Sequence, residues 1–331
     1  MKDAGVKFKL SALILAGLMV LASQVFGAAR IINGTEVTES TQDDSYPWIT
    51  SLMINGSASC GASLIADQWV LTAAHCVTNM ETGSVMSASN FTVVVNDYHL
   101  EERGDEESRT VTEVYVAAGF DTTTLDSDIA VLKLSSTVTS TPVTLMSSSD
   151  FNALAFGESL KVMGWGNTVI TGDDVKFNDV VSIYPNILRE VDIDYADFDE
   201  CNANYGGLTN NVFCAGGNGI TDSCQGDSGG PIMQLVDGEF QQVGIVSTGG
   251  TEDQSCAALN YPGIYTRLSN YHSWISSVMA GNETPGTRTD TGSEEDTSSS
   301  SSSSSGSLGG LFIFALMSLL WGARKNTTRH A

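Results

Sequence analysis

The chain has 331 residues, 41% of them hydrophobic, with 39 acidic against 15 basic side chains and a formal net charge of −24. That charge excludes nucleic acid and anionic membrane surfaces as partners, and reads as a solubility feature of a chain that works in a salty extracellular medium. The length exceeds one ordinary domain and suits a paired domain with tails, and the hydrophobic fraction is enough for a core.

In chain order, residues 1–27 read as a secretory signal peptide. Lys2, Lys7 and Lys9 form a basic start, residues 10–25 are apolar, and the small residue Gly27 offers a cleavage point. Export agrees with six cysteines, Cys60, Cys76, Cys201, Cys214, Cys224 and Cys256. An even count in an exported chain predicts disulfides, and the residues alone leave fifteen connectivities open. From about residue 31 to 281 the chain is broken into short β-rich runs by Gly, Asn, Asp and Ser. The clearest strands are 90–97, 109–117, 128–134, 158–166 and 241–247, a pattern of sandwiches or barrels. A closing helix is predicted from Tyr271, Trp274, Ile275, Val278 and Met279 at three- and four-residue spacing, with Ser269 as N-cap and Gly281 as its end. Residues 282–307, with Glu294, Glu295, Asp296 and serines 298–305, cannot bury a core and read as a flexible linker. Residues 308–331 follow: Gly309-Gly310, a short apolar run and a tail with Arg324, Lys325 and Arg329. The run is barely long enough to cross a bilayer, with the basic end on the cytoplasmic side.

The chemistry starts from the run DSCQGDSGGP, residues 222–231. A serine is a poor nucleophile without a base. Of the four histidines, His330 lies in the basic tail, His272 in the closing helix and His99 in a charge-dense loop. His75 follows an apolar run and precedes Cys76. Taken singly, His75 is a core histidine and Asp128 a turn residue opening an apolar strand. Together they have the residue types that a base and its orienting carboxylate need.

The motifs TAAHC, DIAVL and GDSGGP, in that order, resemble the chymotrypsin-like (trypsin) serine proteases over roughly residues 31–279. The resemblance implies an all-β fold of two antiparallel six-stranded β-barrels, with the site in the cleft between them and a C-terminal helix. It implies Ser228 as nucleophile, His75 as general base and then acid, Asp128 as its orienting partner, and the N–H groups of Gly226 and Ser228 as oxyanion hole. It places Asp222 at the base of a specificity pocket walled by Gly249 and Gly263, with Ser247 beside the substrate backbone, so that Arg or Lys is selected at the cleaved position. It makes the chain a zymogen with a propeptide of residues 28–30: cleavage after Arg30 would free the amine of Ile31 to pair with buried Asp227. The disulfides it implies are Cys60–Cys76, Cys201–Cys214 and Cys224–Cys256. It requires no cofactor. The acidic stretch 97–107 falls where some relatives bind calcium, with Asp97 and Glu106 as candidate ligands; the competing reading is an exposed acidic loop. The family's usual Ser-Trp-Gly is here Ser247-Thr248-Gly249, so the aromatic wall for upstream substrate residues is missing.

The tail resembles the GlyGly C-terminal sorting signal of Gram-negative surface proteins. That implies transient membrane anchoring, removal by a rhomboid-like protease, type II secretion, and an enzyme at the cell surface or in the medium; the enzyme is expected to be a monomer. A plain single-pass anchor is the alternative. Two other functions compete: a catalytically dead homologue used as a binding module, and an adhesin with the linker as its stalk. The first usually lacks a triad member, and none is missing; the second leaves Asp222 and the triad without purpose.

Overall fold

The computed structural model describes residues 31–38, 46–101, 106–168, 184–250 and 256–286. The signal peptide, Arg30, residues 287–307 of the expected linker and the C-terminal tail lie outside the described residues. Residues 282–286 are described and bonded to the globular part, with the Gly286 N–H donating to the Val114 carbonyl at 2.8 Å and Ser277 Oγ to Glu283 Oε1 at 2.7 Å, so the expected flexible linker does not begin at 282. After a two-residue strand β1 (Thr35–Glu36), six strands close a first barrel: β2 (Ile49–Ile54), β3 (Ser57–Ala66), β4 (Trp69–Thr72), β5 (Phe91–Val95), β6 (Glu107–Val116) and β7 (Ala130–Leu134). Their order is β2-β3-β4-β7-β6-β5, all antiparallel. Aliphatic and β-branched runs such as FTVVV in β5 and AVLKL in β7 suit a pleated, buried surface. Register shifts at Leu52/Met53, Leu64/Ala66 and Val111/Glu113 bend the strands enough to close the barrel.

The second half carries β8 (Thr144–Leu145), helix α1 (Ser148–Phe151), β9 (Ser159–Gly164), β10 (Arg189–Asp194), helix α2 (Phe198–Tyr205), β11 (Val212–Ala215), β12 (Pro231–Val236), β13 (Glu239–Thr248) and β14 (Gly263–Arg267). The sheet runs β1-β10-β9-β12-β13-β14-β11, with β8 pairing to β13. A bridge between Tyr195 and Ala215, and the Ala196 N–H donating to the Cys214 carbonyl at 2.9 Å, bring its β10 and β11 ends together as the second barrel. Phe213, Tyr265, Ile232, Val243, Leu160 and Ile193 fill that barrel. Each predicted strand is present within two residues at either end.

Helix α3 (His272–Met279) follows β14 yet buries Ile275 and Val278 in the first barrel's core, so it straps the two halves together. Ser269 is not its N-cap. It lies in a 3₁₀ turn, Leu268–Asn270, where its hydroxyl accepts from Arg267 Nε at 2.8 Å; Tyr271 occupies the cap without a side-chain bond. The Gly281 end holds, with φ +76° just past the helix. Three disulfides form, Cys60–Cys76, Cys201–Cys214 and Cys224–Cys256. Loops of these lengths are each worth about 3 kcal/mol in the chain-entropy model.

Candidate active site

The cleft takes one part from each barrel. His75 sits in a single 3₁₀ turn, Ala74–Cys76, directly after β4, and Asp128 precedes β7. Their strands pair through Thr72 and Ala130, which brings the two side chains together across 53 residues of sequence. Asp128 is fully buried. Its Oδ1 accepts the His75 backbone N–H at 2.9 Å and its Oδ2 lies 2.7 Å from His75 Nδ1. That pairing puts the neutral ring's proton on Nδ1 and leaves Nε2 as the basic nitrogen. Burial alone would push His75 down, but the charge of Asp128 and the hydrogen bond to it outweigh this and hold His75 above its usual 6.5.

The second barrel grips the same carboxylate. Ser247 Oγ donates to Asp128 Oδ2 at 2.6 Å, and Thr266 Oγ1 to the Asp128 carbonyl at 2.8 Å. The sequence reading placed Ser247 beside the substrate; its bond to Asp128, 119 positions away, has no local signal.

Ser228 lies on the loop before β12. Its carbonyl accepts the Gly61 N–H of β3 at 2.8 Å, and Cys76 Sγ lies 3.7 Å from both that carbonyl and His75 Nε2. The disulfide therefore holds the free edge of His75 beside the Ser228 backbone. Cys60, His75 and Cys76 group at ligand distances, but their sulfurs are bonded to each other, so they do not form a metal centre. Around Ser228 the loop's backbone donors divide. The N–H groups of Asp227, Gly229 and Gly230 donate to Cys224, Val246 and Asp227 carbonyls at 2.8–3.0 Å. Those of Gly226 and Ser228 make no hydrogen bond within the described residues, and two such donors suit an external oxyanion. Gly226 has φ +102°, and a Cβ there would stand 3.1 Å from Gly166 Cα, so glycine is required.

A cavity of about 240 Å³ opens beside Ser228, lined also by Asp222, Ser247, Thr248, Gly249, Gly263 and the Cys224–Cys256 bridge. Gly249 and Gly263 keep it open: a Cβ on Gly249 would come within 2.9 Å of Gly263 Cα, and one on Gly263 within 3.0 Å of Asp222 Oδ1. Asp222 is 2% exposed. Its Oδ2 accepts the Ala257 N–H at 2.9 Å, while Oδ1 has no partner among the described residues. Burial pushes Asp222 up to about 7, with the neighbouring Asp227 adding to the rise and backbone donors opposing it.

Ile31 is fully buried in the second barrel's core, and Ile32 bridges to Asp222. Ile31 has φ +42°, a costly conformation for a β-branched residue. Asp227 is also fully buried. Its oxygens accept the Gly166 and Cys224 N–H groups at 2.8 Å each, and burial raises it to about 6. No basic side chain pairs with it among the described residues.

The calcium candidates fare differently. Asp97 is fully buried and accepts from Ser51 Oγ on β2, so the exposed acidic loop reading does not hold at that residue. Glu106 is half-buried. Among the described residues no set of three ligand side chains converges on either, so the fit to a metal ion is incomplete.

Comparison with known proteins places the chain in a family. The Trypsin family model matches residues 32–275. Trypsin of Xenopus laevis is 33% identical over 272 residues, covering 81% of this chain and 99% of the relative. Trypsin I-P1 of Gallus gallus is 35% identical over 256 residues, 76% of this chain and 90% of its own, and anionic trypsin of Canis lupus familiaris 35% over 244 residues, 73% and 87%. With a paired-barrel fold, a buried carboxylate on the cleft histidine and matches nearly as long as the relatives themselves, this chain belongs to the trypsin family.

Proposed function

We propose that the chain is an exported, trypsin-like serine endopeptidase, made as a zymogen, that cleaves after Arg or Lys through an acyl-enzyme. In this reading His75 Nε2 takes the Ser228 proton as Oγ attacks the scissile carbonyl. The Gly226 and Ser228 N–H groups receive the oxyanion, and His75 then protonates the leaving amine. Asp128 keeps the proton on Nδ1 and stabilises the imidazolium. The observation that carries the specificity is that Asp222, whose Oδ1 has no partner among the described residues, lines the cavity beside Ser228. A long cationic side chain would supply its missing partner, whereas a neutral one leaves a buried carboxylate uncompensated.

Activation follows from Asp227. Cleavage between Arg30 and Ile31 would create an α-amine to meet that buried carboxylate and would release the left-handed strain at Ile31. A rise from 3.8 to about 6 corresponds to about 3 kcal/mol. The folded value lies above the unfolded one, so stability is full below about pH 4 and is lost as pH rises towards 6. A paired amine cancels that loss. The cleaved form should therefore exceed the uncleaved form in Tm at pH 7, with the gap closing towards pH 4, and its activity should fall at high pH as the amine loses its proton. N-terminal sequencing of active enzyme is expected to begin at Ile31. Another start, or a Tm gap independent of pH, would contradict this route.

The termini are read as a removable signal (1–27), a propeptide (28–30), a linker (287–307) and a sorting segment (308–331) of a monomeric enzyme. The sorting segment would be processed by a rhomboid-like protease at the surface of a Gram-negative cell, with type II export. Glycines at 309 and 310 weaken a helix where an intramembrane protease must reach the backbone. Intact mass of the protein from surface and medium should lack the residues from about 311 onward; a chain complete through Ala331 in both fractions would reduce the segment to a plain anchor.

A further inference from the structure

Asp128 is delivered by a loop that is bent out of ordinary conformation. Leu125 and Ser127 have φ of +56° and +57°, and neither is glycine. Such residues persist only where their surroundings hold them. Bonds within the loop turn its backbone, with Leu125 N–H donating to the Asp121 carbonyl at 2.8 Å and Asp126 N–H to Thr124 Oγ1 at 3.3 Å, and side chains of the other barrel grip it from outside. Between the two bent residues, Asp126 accepts from Asn211 Nδ2 at 3.3 Å on Oδ1 and 3.0 Å on Oδ2, and from Thr209 Oγ1 on Oδ1. The same Asn211 Nδ2 lies 3.2 Å from Ser127 Oγ, and that hydroxyl donates to Asp126 Oδ2 at 3.2 Å. Asn211, directly before β11, is itself held: Arg267 N–H donates to its carbonyl at 2.8 Å and its Oδ1 accepts from Asn270 Nδ2 at 3.4 Å. Its amide is thus oriented with the nitrogen towards the loop.

We propose that Asn211, with Thr209, is a positioning clamp that grips Asp126 across the barrel interface and so sets where the Asp128 carboxylate meets His75. The proposal rests on the catalytic reading of His75, Asp128 and Ser228. Its logic is geometric. His75 and Asp128 belong to the first barrel and Ser228 to the second, so a shift between barrels moves the base against the nucleophile. The clamp fixes the strained loop to the same barrel that carries Ser228. A displacement of about 1 Å at a reacting group costs on the order of 10²-fold in rate.

The test uses the full-length protein after activation, an Arg amide substrate, and activity per active site titrated with a phosphonylating reagent. Asn211→Ala should lower kcat about 10- to 100-fold with KM within about twofold. It should also move the acid limb of kcat/KM to lower pH. Asp128 is the charged group in contact with His75 among the described residues, and a displaced carboxylate supports its protonated form less. Asn211→Asp sets two carboxylates face to face and should be worse. Asp126→Asn combined with Asn211→Asp restores donor and acceptor in reversed order and should recover most of kcat. If Asn211→Ala lowered Tm but left kcat per site and the acid limb unchanged, or if the double variant were no better than Asn211→Asp, the clamp would be wrong while the catalytic reading stood. A wild type inactive on Arg, Lys, Phe and Ala amides alike would remove the catalytic reading, and the clamp with it; one active only on Phe or Ala would move the test to that substrate and leave the clamp to be judged by the same comparisons.

Discussion

Replacing Ser228 with alanine is expected to lower kcat on an Arg amide by at least about 10⁴-fold while Tm stays within the scatter of surface substitutions. Ser228 is half-buried, and its structural bond runs through the carbonyl to Gly61, which alanine retains. The hydroxyl can therefore be removed without disturbing the barrel contact. His75→Ala should cost a comparable factor, because the nucleophile then has no base. Asp128→Asn is expected to cost about 10⁴-fold for a different reason: an amide at that position can donate to Nδ1, which drives the ring proton to Nε2 and blunts the base. These losses should not multiply in double variants, since the three groups act as one unit. The wild-type profile carries its own check. Because Asp128 holds His75 above its usual 6.5, activity should fall on the acid side at a pH above that value. A Ser228→Ala enzyme with most of its kcat would overturn the nucleophile assignment.

The second large effect is expected at Asp222. Asp222→Ser should lower kcat/KM for Arg and Lys amides on the order of 10⁴-fold and leave Phe or Leu amides little changed. The argument is the cost of an unmade contact. Asp222 is buried with one oxygen unpaired among the described residues, and it lines a cavity of about 240 Å³ together with Ser228. Serine removes the charge, and a substrate cation entering the same slot would lose its hydration without replacement. The pH dependence supplies a second measurement. Burial holds the free carboxyl near 7. Below that pH it is protonated, so KM for Arg substrates should rise as pH falls through neutrality, whereas KM for a neutral side chain should not. A wild-type enzyme that prefers Phe or Leu would contradict the assignment of the pocket.

Much of the site was legible because its signals are local. GDSGGP keeps its serine, buried aspartate and close-approach glycines within six positions, and TAAHC ties the histidine to a cysteine that anchors it. Strands such as β5 and β7 were legible for the same reason, as short apolar runs, FTVVV and AVLKL. β3 was not: SASCGASLIA is small and polar because its backbone must approach the other barrel, where a Cβ on Gly61 would stand 2.7 Å from Gly230 Cα. The bonds of Ser247 and Thr266 to Asp128, and of Asn211 to Asp126, join positions 85 to 138 residues apart. Hydrophobic periodicity carries no information about such pairs; only the closed topology creates them. Ser269 shows the converse failure. Its position suited a helix cap, but Arg267 recruited the hydroxyl and the chain made a 3₁₀ turn first. Asp97 misled through its neighbours, since an acidic run suggests solvent while the Asp97 carboxylate itself is buried against Ser51.

The central claim is that a serine protease selective for cationic side chains is completed by a cut before Ile31. The most direct measurement is hydrolysis of Arg, Lys, Phe and Ala amides by the full-length protein before and after that cut, with the new N-terminus sequenced. The account predicts little turnover before cleavage, and afterwards Arg and Lys amides hydrolysed far ahead of Phe and Ala. Equal activity before and after, or Phe hydrolysed ahead of Arg, would contradict it.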